Sequence, residues 1–170
     1  LFDRAFYFVR DTVAKGDKVL FVGTKKQSQS IVVEEATRCE MFYVHTRWLG
    51  GTLTNFRTIR QSVERLKNLK KMATDGSYDR LTKKEILQIE RESKKLEKNL
   101  PGIKEMTRLP GVVYLVDPKN ERIALLEAHK LGIPVVALTD TNCDPEMVDF
   151  LIPANDDAIR AIKLFTERLA

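Results

Sequence analysis

Residues 43–56, which read YVHTRWLGGTLTNF, hold the side chains best suited to contact a charged partner. Arg47 stands beside Trp48, the only tryptophan of the chain, and a guanidinium group both pairs with phosphate and stacks on flat rings. The glycine pair Gly50 and Gly51 lets the backbone approach another surface closely or adopt a positive φ. A tight turn around a buried Trp48 and a contact loop fit these residue types equally well, because glycine pairs mark many turns.

A second candidate site lies at residues 23–30, which read GTKKQSQS between a predicted strand and a predicted helix. Backbone amides, the helix dipole, Lys25 and Lys26 together suit an anion. The spacing matches neither GxGxxG nor GxxxxGK[ST], so a nucleotide site is disfavoured. Contact of the two lysines with an RNA backbone, or simply a solvated loop, fits better, and a Rossmann-like nucleotide-binding enzyme stays the alternative function.

Residue types for catalysis are sparse. His45 and His129 are the only histidines, and neither has a nucleophile or a carboxylate at triad spacing. Asp140 follows a predicted strand, where α/β enzymes place catalytic groups, and could join Asp156 or Asp157 at a metal. Helix capping explains these aspartates more simply. We therefore expect no catalysis and no cofactor, with Asp140 and Asp157 as weak metal candidates.

The bulk properties indicate a single globular domain with room for an insertion. The chain has 170 residues, 43% of them hydrophobic, and no run of about twenty apolar residues that would span a membrane. Cys39 and Cys143 are far apart and read as buried or free thiols of a reducing compartment. Leu1 in place of a starting methionine leads us to expect a fragment.

Positive charge is concentrated in one segment. The net charge is +5, but residues 57–108 hold fifteen Lys/Arg against eight Asp/Glu. Residues 109–170 hold six against ten and are acidic. A basic arm on a nearly neutral body suits a phosphate-rich partner.

Strand and helix patterns alternate on both sides of that segment. Predicted strands cover residues 18–22, 42–44, 112–116, 134–138 and 150–152, and predicted helices cover 3–15, 27–38, 120–131 and a final helix from 155. Continuous apolar runs are typical of strands buried on both faces, so we predict an α/β fold with a parallel sheet between helices. We expect Asn120, Asp144 and Asn155 to cap the elements that follow them, with Asp156 and Asp157 in the first turn of the last helix.

Residues 57–100 interrupt the alternation and are predicted to form an inserted helical hairpin on a domain made of residues 1–56 and 101–170. Each helix has a narrow apolar seam, and Thr82 with Glu85 has the spacing of a capping box. The predicted seam consists of Ile59, Val63, Leu66, Ile86, Ile89, Leu96 and Leu100. An ordinary amphipathic pair packed on the core is the alternative, as is a hairpin that serves as a protein-interaction module.

Several strings together resemble the bacterial-type small-subunit ribosomal protein family S-two. They are RWLGGTLTN at 47–55, KVLFVGTK at 18–25, LTKKE at 81–85, NLPGIK at 99–104, LPGVVYLVD at 109–117, Glu127, GIP at 132–134, DTNCDP at 140–145 and IPANDD at 152–157. The resemblance covers essentially the whole chain. It implies a Rossmann-like or flavodoxin-like sheet with an inserted antiparallel coiled-coil hairpin.

The same resemblance implies a function without catalysis. The expected role is a structural component of the small ribosomal subunit in the cytoplasm, bound to small-subunit rRNA and neighbouring proteins and helping to dock the mRNA-binding protein S-one. The RNA-binding residues expected are Lys25, Lys26, Arg47, Gly50, Gly51, Thr54, Asn55, Arg57 and Arg60. The family's Phe-Gly-His motif and polar C-terminal tail are absent from this sequence, so a divalent-metal site near that histidine is not expected to be complete.

Overall fold

The computed structural model describes residues 1–141 and 143–170, and only the backbone of Asp79 and Arg80. Six α-helices and five strands follow one another in the described part. The helices are α1 Phe2–Ala14, α2 Gln29–Arg38, α3 Phe56–Met72, α4 Lys83–Asn99, α5 Arg122–Lys130 and α6 Ile159–Leu169. The strands are β1 Val19–Val22, β2 Phe42–Val44, β3 Val112–Val116, β4 Val135–Thr139 and β5 Phe150–Pro153. None of the described helices is long and apolar enough to cross a membrane.

The five strands form one parallel sheet in the order β2-β1-β3-β4-β5, which confirms the predicted α/β class. Every residue of β1, β3 and β4 is buried, because helices cover both faces. Alternate residues point to opposite faces, so Leu20 and Val22 join one apolar cluster and Val19 and Phe21 join the other. Helices α1, α2 and α6 cover the second face, and α3, α5 and the loop around Trp48 cover the first.

Two predicted helix starts are wrong. Helix α5 begins at Arg122 with Glu121 as N-cap, and Asn120 instead donates its side-chain amide to Thr24 Oγ1 and to Glu121 Oε1, both at 3.0 Å. Helix α6 begins at Ile159, and Asn155 Oδ1 accepts from the amides of residues 157 and 158, which closes a turn before the helix. Asparagine side chains bond readily to nearby backbone, so they mark turns as often as helix starts.

The cap predicted at Asp144 is confirmed, since its side chain accepts from the amide of Glu146 at the start of a short 3₁₀ turn. That turn begins at Pro145, the last residue of the motif at 140–145, whose Asn142 lies outside the described residues. Thr82 and Glu85 also form the predicted capping box at the start of α4.

Helices α3 and α4 pack against each other and against the body. The seam of α3 is buried, and Ile59, Val63 and Leu66 belong to the same apolar cluster as Leu20 of the sheet. The seam of α4 is only half-buried. Ion pairs from Arg65 to Glu92 and from Lys70 to Glu97 join the two helices. The sheet's core therefore continues into the base of the helix pair, and its separate folding stays a prediction.

Candidate nucleic-acid interface

The loop of residues 47–55, here called the signature loop, is built around one carboxylate of α5. Glu127 Oε1 accepts from Trp48 Nε1 at 3.1 Å and from the Gly51 amide at 2.6 Å. Its Oε2 accepts from the Leu53 amide at 2.9 Å and from the amide and hydroxyl of Thr54, both at 3.0 Å. Five donors of one loop therefore converge on a single side chain that is 7% exposed.

These hydrogen bonds keep Glu127 ionised. Burial by itself would raise the pKa of this carboxyl, but the bonds from Thr54, Trp48, Gly51 and Leu53 outweigh it, and the net pKa lies below the ordinary value for glutamate. A carboxylate that accepts several backbone N–H groups is stabilised in its charged form. The signature loop thus closes over a negative charge at neutral pH.

The two glycines of the signature loop have different roles. Gly51 has φ of +88°, a conformation that side chains rarely adopt, so the turn itself requires glycine there. Gly50 is exposed, and a Cβ built on it would have no described atom within 4 Å. The fold therefore explains Gly51, while Gly50 leaves a stretch of bare backbone facing outward.

The outward side of the signature loop carries the predicted contact residues. Trp48 is 7% exposed and is therefore the buried anchor of the loop. The predicted residues that lie exposed here are Arg47, Gly50, Thr54, Asn55 and Arg57. Because α3 starts at Phe56, the loop and the first turn of α3 present two arginines beside a glycine and polar side chains.

Arg60 is held more tightly than its neighbours. It is half-buried, and its Nη1 donates to the carbonyl of Met106 at 3.0 Å. This bond ties α3 to the chain segment after α4. Part of the guanidinium is therefore used inside the protein.

Lys25 lies in a cluster of acids and not on the open surface. Its Nζ is 2.6 Å from Asp117, 2.9 Å from Asp156 and 2.8 Å from Asp157. Burial opposes the charge, but these three partners raise the pKa of Lys25 well above its ordinary value. Lys26, next to it in sequence, is exposed. The geometry favours Lys26 and disfavours Lys25 as a contact to a partner's phosphate.

The predicted anion site after β1 is occupied by the protein's own carboxylate. Glu121, 3% exposed, accepts from the Thr24 amide at 2.8 Å and from the Thr24 hydroxyl at 2.5 Å. A Cβ on Gly23 would lie 2.8 Å from both Ser28 Oγ and Val32 Cγ2, so helix α2 packs too closely for a side chain. The glycine therefore serves helix packing, and the nearby amide already has its acceptor.

His129 and the late aspartates have partners within the protein. His129 Nε2 is 2.7 Å from the carbonyl of Met147, and burial lowers the pKa of His45, which is half-buried. Asp140 Oδ1 accepts from the Thr141 amide at 2.7 Å, while Asp157 pairs with Lys25. Among the side chains that the structure describes, no group of three or more His, Cys, Asp or Glu could hold a metal ion.

Sequence reasoning did not assign the buried acids that hold these loops. Glu127 entered only as part of a resemblance, and Glu121 and Asp117 were not singled out for a role. Their partners lie 73 to 79 residues away for Glu127 and 97 residues away for Glu121. One signal was present, because Glu127 stands on the apolar face of α5 beside Ala124 and Ala128, where an unpaired charge would be costly.

The sequence model of the family described as ribosomal protein S2 matches residues 1–170. The protein named "Small ribosomal subunit protein uS2" from Geotalea uraniireducens (strain Rf4) is 60% identical over 170 residues, which are all of this chain. The chain spans 66% of the length of that curated relative.

Proposed function

The chain belongs to the ribosomal protein S2 family, and from this membership we propose that it is a structural component of the small ribosomal subunit. The observation that carries the proposal is the family match over all 170 residues. Proteins of this family are structural and not enzymatic. The location that follows is the ribosome of the cytoplasm.

We propose further that the chain binds small-subunit rRNA through the signature loop and the first turn of α3. Arg47 and Arg57 are exposed there, with Lys26 as a further exposed cation after β1. Basic side chains bind phosphates, and folded RNA is recognised largely by shape and backbone, so few base-edge contacts are needed. The excess of Lys/Arg between residues 57 and 108 also supports an RNA contact on the side of the molecule that carries α3.

Docking of S-one beside the neighbouring small-subunit proteins is also a proposal, supported by the family alone. Capture of purified S-one by this chain, with and without small-subunit rRNA, tests it. Capture that persists without RNA supports a direct contact. Capture only when RNA is present would assign the docking to the RNA.

A salt-dependent binding assay against small-subunit rRNA tests the main proposal. Arg47→Ala and Arg57→Ala should each weaken binding by about 1 kcal/mol and lower the salt slope by about one. Arg160→Ala is the matched control, because Arg160 is exposed on α6, which packs on the opposite face of the sheet. Equal affinities and slopes for all four proteins would contradict the proposed surface.

The alternative of a nucleotide-binding enzyme loses support from the geometry. The Thr24 amide, which would face a phosphate after β1, already donates to Glu121. A second negative charge at this position would be repelled by the carboxylate.

A further inference from the structure

The signature loop owes its shape to a group outside it. Its exposed residues, Arg47 and Gly50, each adjoin a residue that Glu127 holds, because Trp48 follows Arg47 and Gly51 follows Gly50. We propose that Glu127 is the positioning residue of RNA binding, whose buried carboxylate fixes the loop so that Arg47 and the bare backbone at Gly50 meet the RNA together. This inference rests on the proposed function and assigns a role within it.

The two oxygens of Glu127 hold the two halves of the loop. Oε1 holds the first half through Trp48 and Gly51, and Oε2 holds the second half through Leu53 and Thr54. Both halves are thereby fixed to one carboxylate on α5, a helix that packs on the sheet. A mobile loop loses conformational entropy when its arginine binds RNA, whereas a loop that is already fixed loses little.

The role requires a carboxylate and not merely a side chain of this size. All five groups that face Glu127 are donors, and an ionised carboxyl is acceptor-only. Glutamine has the same shape, but its NH₂ would face either the two donors at Oε1 or the three at Oε2. Whichever way the amide turns, one half of the loop loses its acceptor.

The chain offers a matched control for the loss of a buried acid. Glu35 lies on α2, is 3% exposed and accepts from Arg38 Nε at 2.7 Å. Its helix packs on the opposite face of the sheet from the signature loop. Glu35→Gln therefore removes a buried charge of the same chemical type away from the proposed RNA surface.

The experiment measures three properties of the wild type, Glu127→Gln and Glu35→Gln. They are affinity for small-subunit rRNA at several salt concentrations, footprints on that RNA, and iodide quenching of Trp48. For Glu127→Gln we expect native far-ultraviolet circular dichroism, stronger quenching of Trp48, about tenfold weaker binding and a salt slope lower by about one, as for a lost phosphate contact. Glu35→Gln should bind and quench like the wild type.

Each outcome bears on one claim. If Glu127→Gln opens the loop but binds RNA with wild-type affinity, slope and footprint, the positioning role is wrong while the proposed function stands. An equal loss of binding in Glu35→Gln would also overturn it, because the effect would be a general one. If the wild type itself shows no salt-dependent binding, the proposed function fails first.

Should Glu127→Gln fail to fold, Glu127→Asp answers the same question. Aspartate keeps the charge but is shorter by one methylene, so it reaches fewer of the donors in both halves of the loop. Weaker RNA binding with a folded sheet supports the role, and unchanged binding with increased Trp48 quenching contradicts it.

Discussion

At the scale of single residues, the structure separates the charges that serve the fold from those that face outward. Glu127 is buried among donors and the half-buried Lys25 lies among carboxylates, whereas Arg47 and Lys26 are exposed. Removing one member of a buried pair leaves the other uncompensated, which costs far more than removing an exposed charge. This difference makes the two classes distinguishable by stability measurements.

Glu127 should make stability depend on acid pH. Its folded pKa is lowered, so its contribution is complete above the unfolded pKa of about 4.3 and is lost as the pH falls through the folded value. We expect Glu127→Gln to lower the free energy of unfolding by about 2 kcal/mol at pH 7, with the difference shrinking below pH of about 4. Urea unfolding at several pH values measures this. A difference that is equally large in acid would exclude the carboxylate as its source, and Glu90→Gln, on the exposed face of α4, is the control.

Removing Lys25 should give a variant whose stability rises, and does not fall, as the pH is lowered. In Lys25→Met, the buried Asp117 and Asp156 lose their cation, so the free energy of unfolding should fall by about 3 kcal/mol at pH 7. Burial already raises the pKa of Asp156, and without Lys25 it rises further. The folded variant then takes up protons more readily than the unfolded chain, and stability recovers as the pH falls through the raised pKa of Asp156. Urea unfolding of Lys25→Met at several pH values, with Lys26→Met as the control, measures the loss of stability and its recovery in acid. If Lys25→Met is as stable as the control at pH 7, the prediction is wrong.

At the scale of elements, the sequence predicts the strands but not the buried acid that holds the signature loop. All five strands lie within one or two residues of their apolar runs, because burial on both faces demands continuous hydrophobicity. Helix starts at Asn120 and Asn155 were mispredicted because those side chains bond elsewhere. The signature loop was found from its own residues, but its link to Glu127 joins segments more than seventy residues apart, and local patterns carry no such information.

The helix pair should depend on α3 more than on α4. Leu66 is 2% exposed within the core cluster, while Leu96 is half-buried and packs at its edge. Leu66→Ala should cost about 3–4 kcal/mol of unfolding free energy and Leu96→Ala about 1–2, because the cost grows with the cavity left behind. Leu87→Ala, at a position 48% exposed, is the control. Equal costs for Leu66 and Leu96 in urea unfolding would show that both seams are buried alike in solution.

At the scale of the whole molecule, the fold keeps an enzyme-like sheet whose usual ligand position is lined by charged groups of the protein itself. In open parallel sheets, ligands bind beyond the carboxyl ends of the strands where the strand order reverses, here between β1 and β3. Glu121 and the cluster of Lys25 with Asp117 occupy that place. Exposed arginines lie on the signature loop and the first turn of α3, which suits a scaffold seated on a phosphate-rich surface.

The crevice should therefore reject nucleotides. Equilibrium dialysis with ATP, GTP and NAD should show no stoichiometric binding at micromolar concentrations, because the Thr24 amide is taken and Glu121 repels phosphate. The variant Glu121→Gln is the more stringent test, because it removes the repelling charge. The glycines needed to bring the backbone against a pyrophosphate are still missing in this variant. We expect this variant to bind no nucleotide either. Binding by the wild type that a bulky residue at Gly23 abolishes would give the crevice a ligand and make the scaffold role an incomplete account of the protein. Binding by Glu121→Gln alone would show that a single carboxylate closes a crevice that is otherwise able to hold a nucleotide.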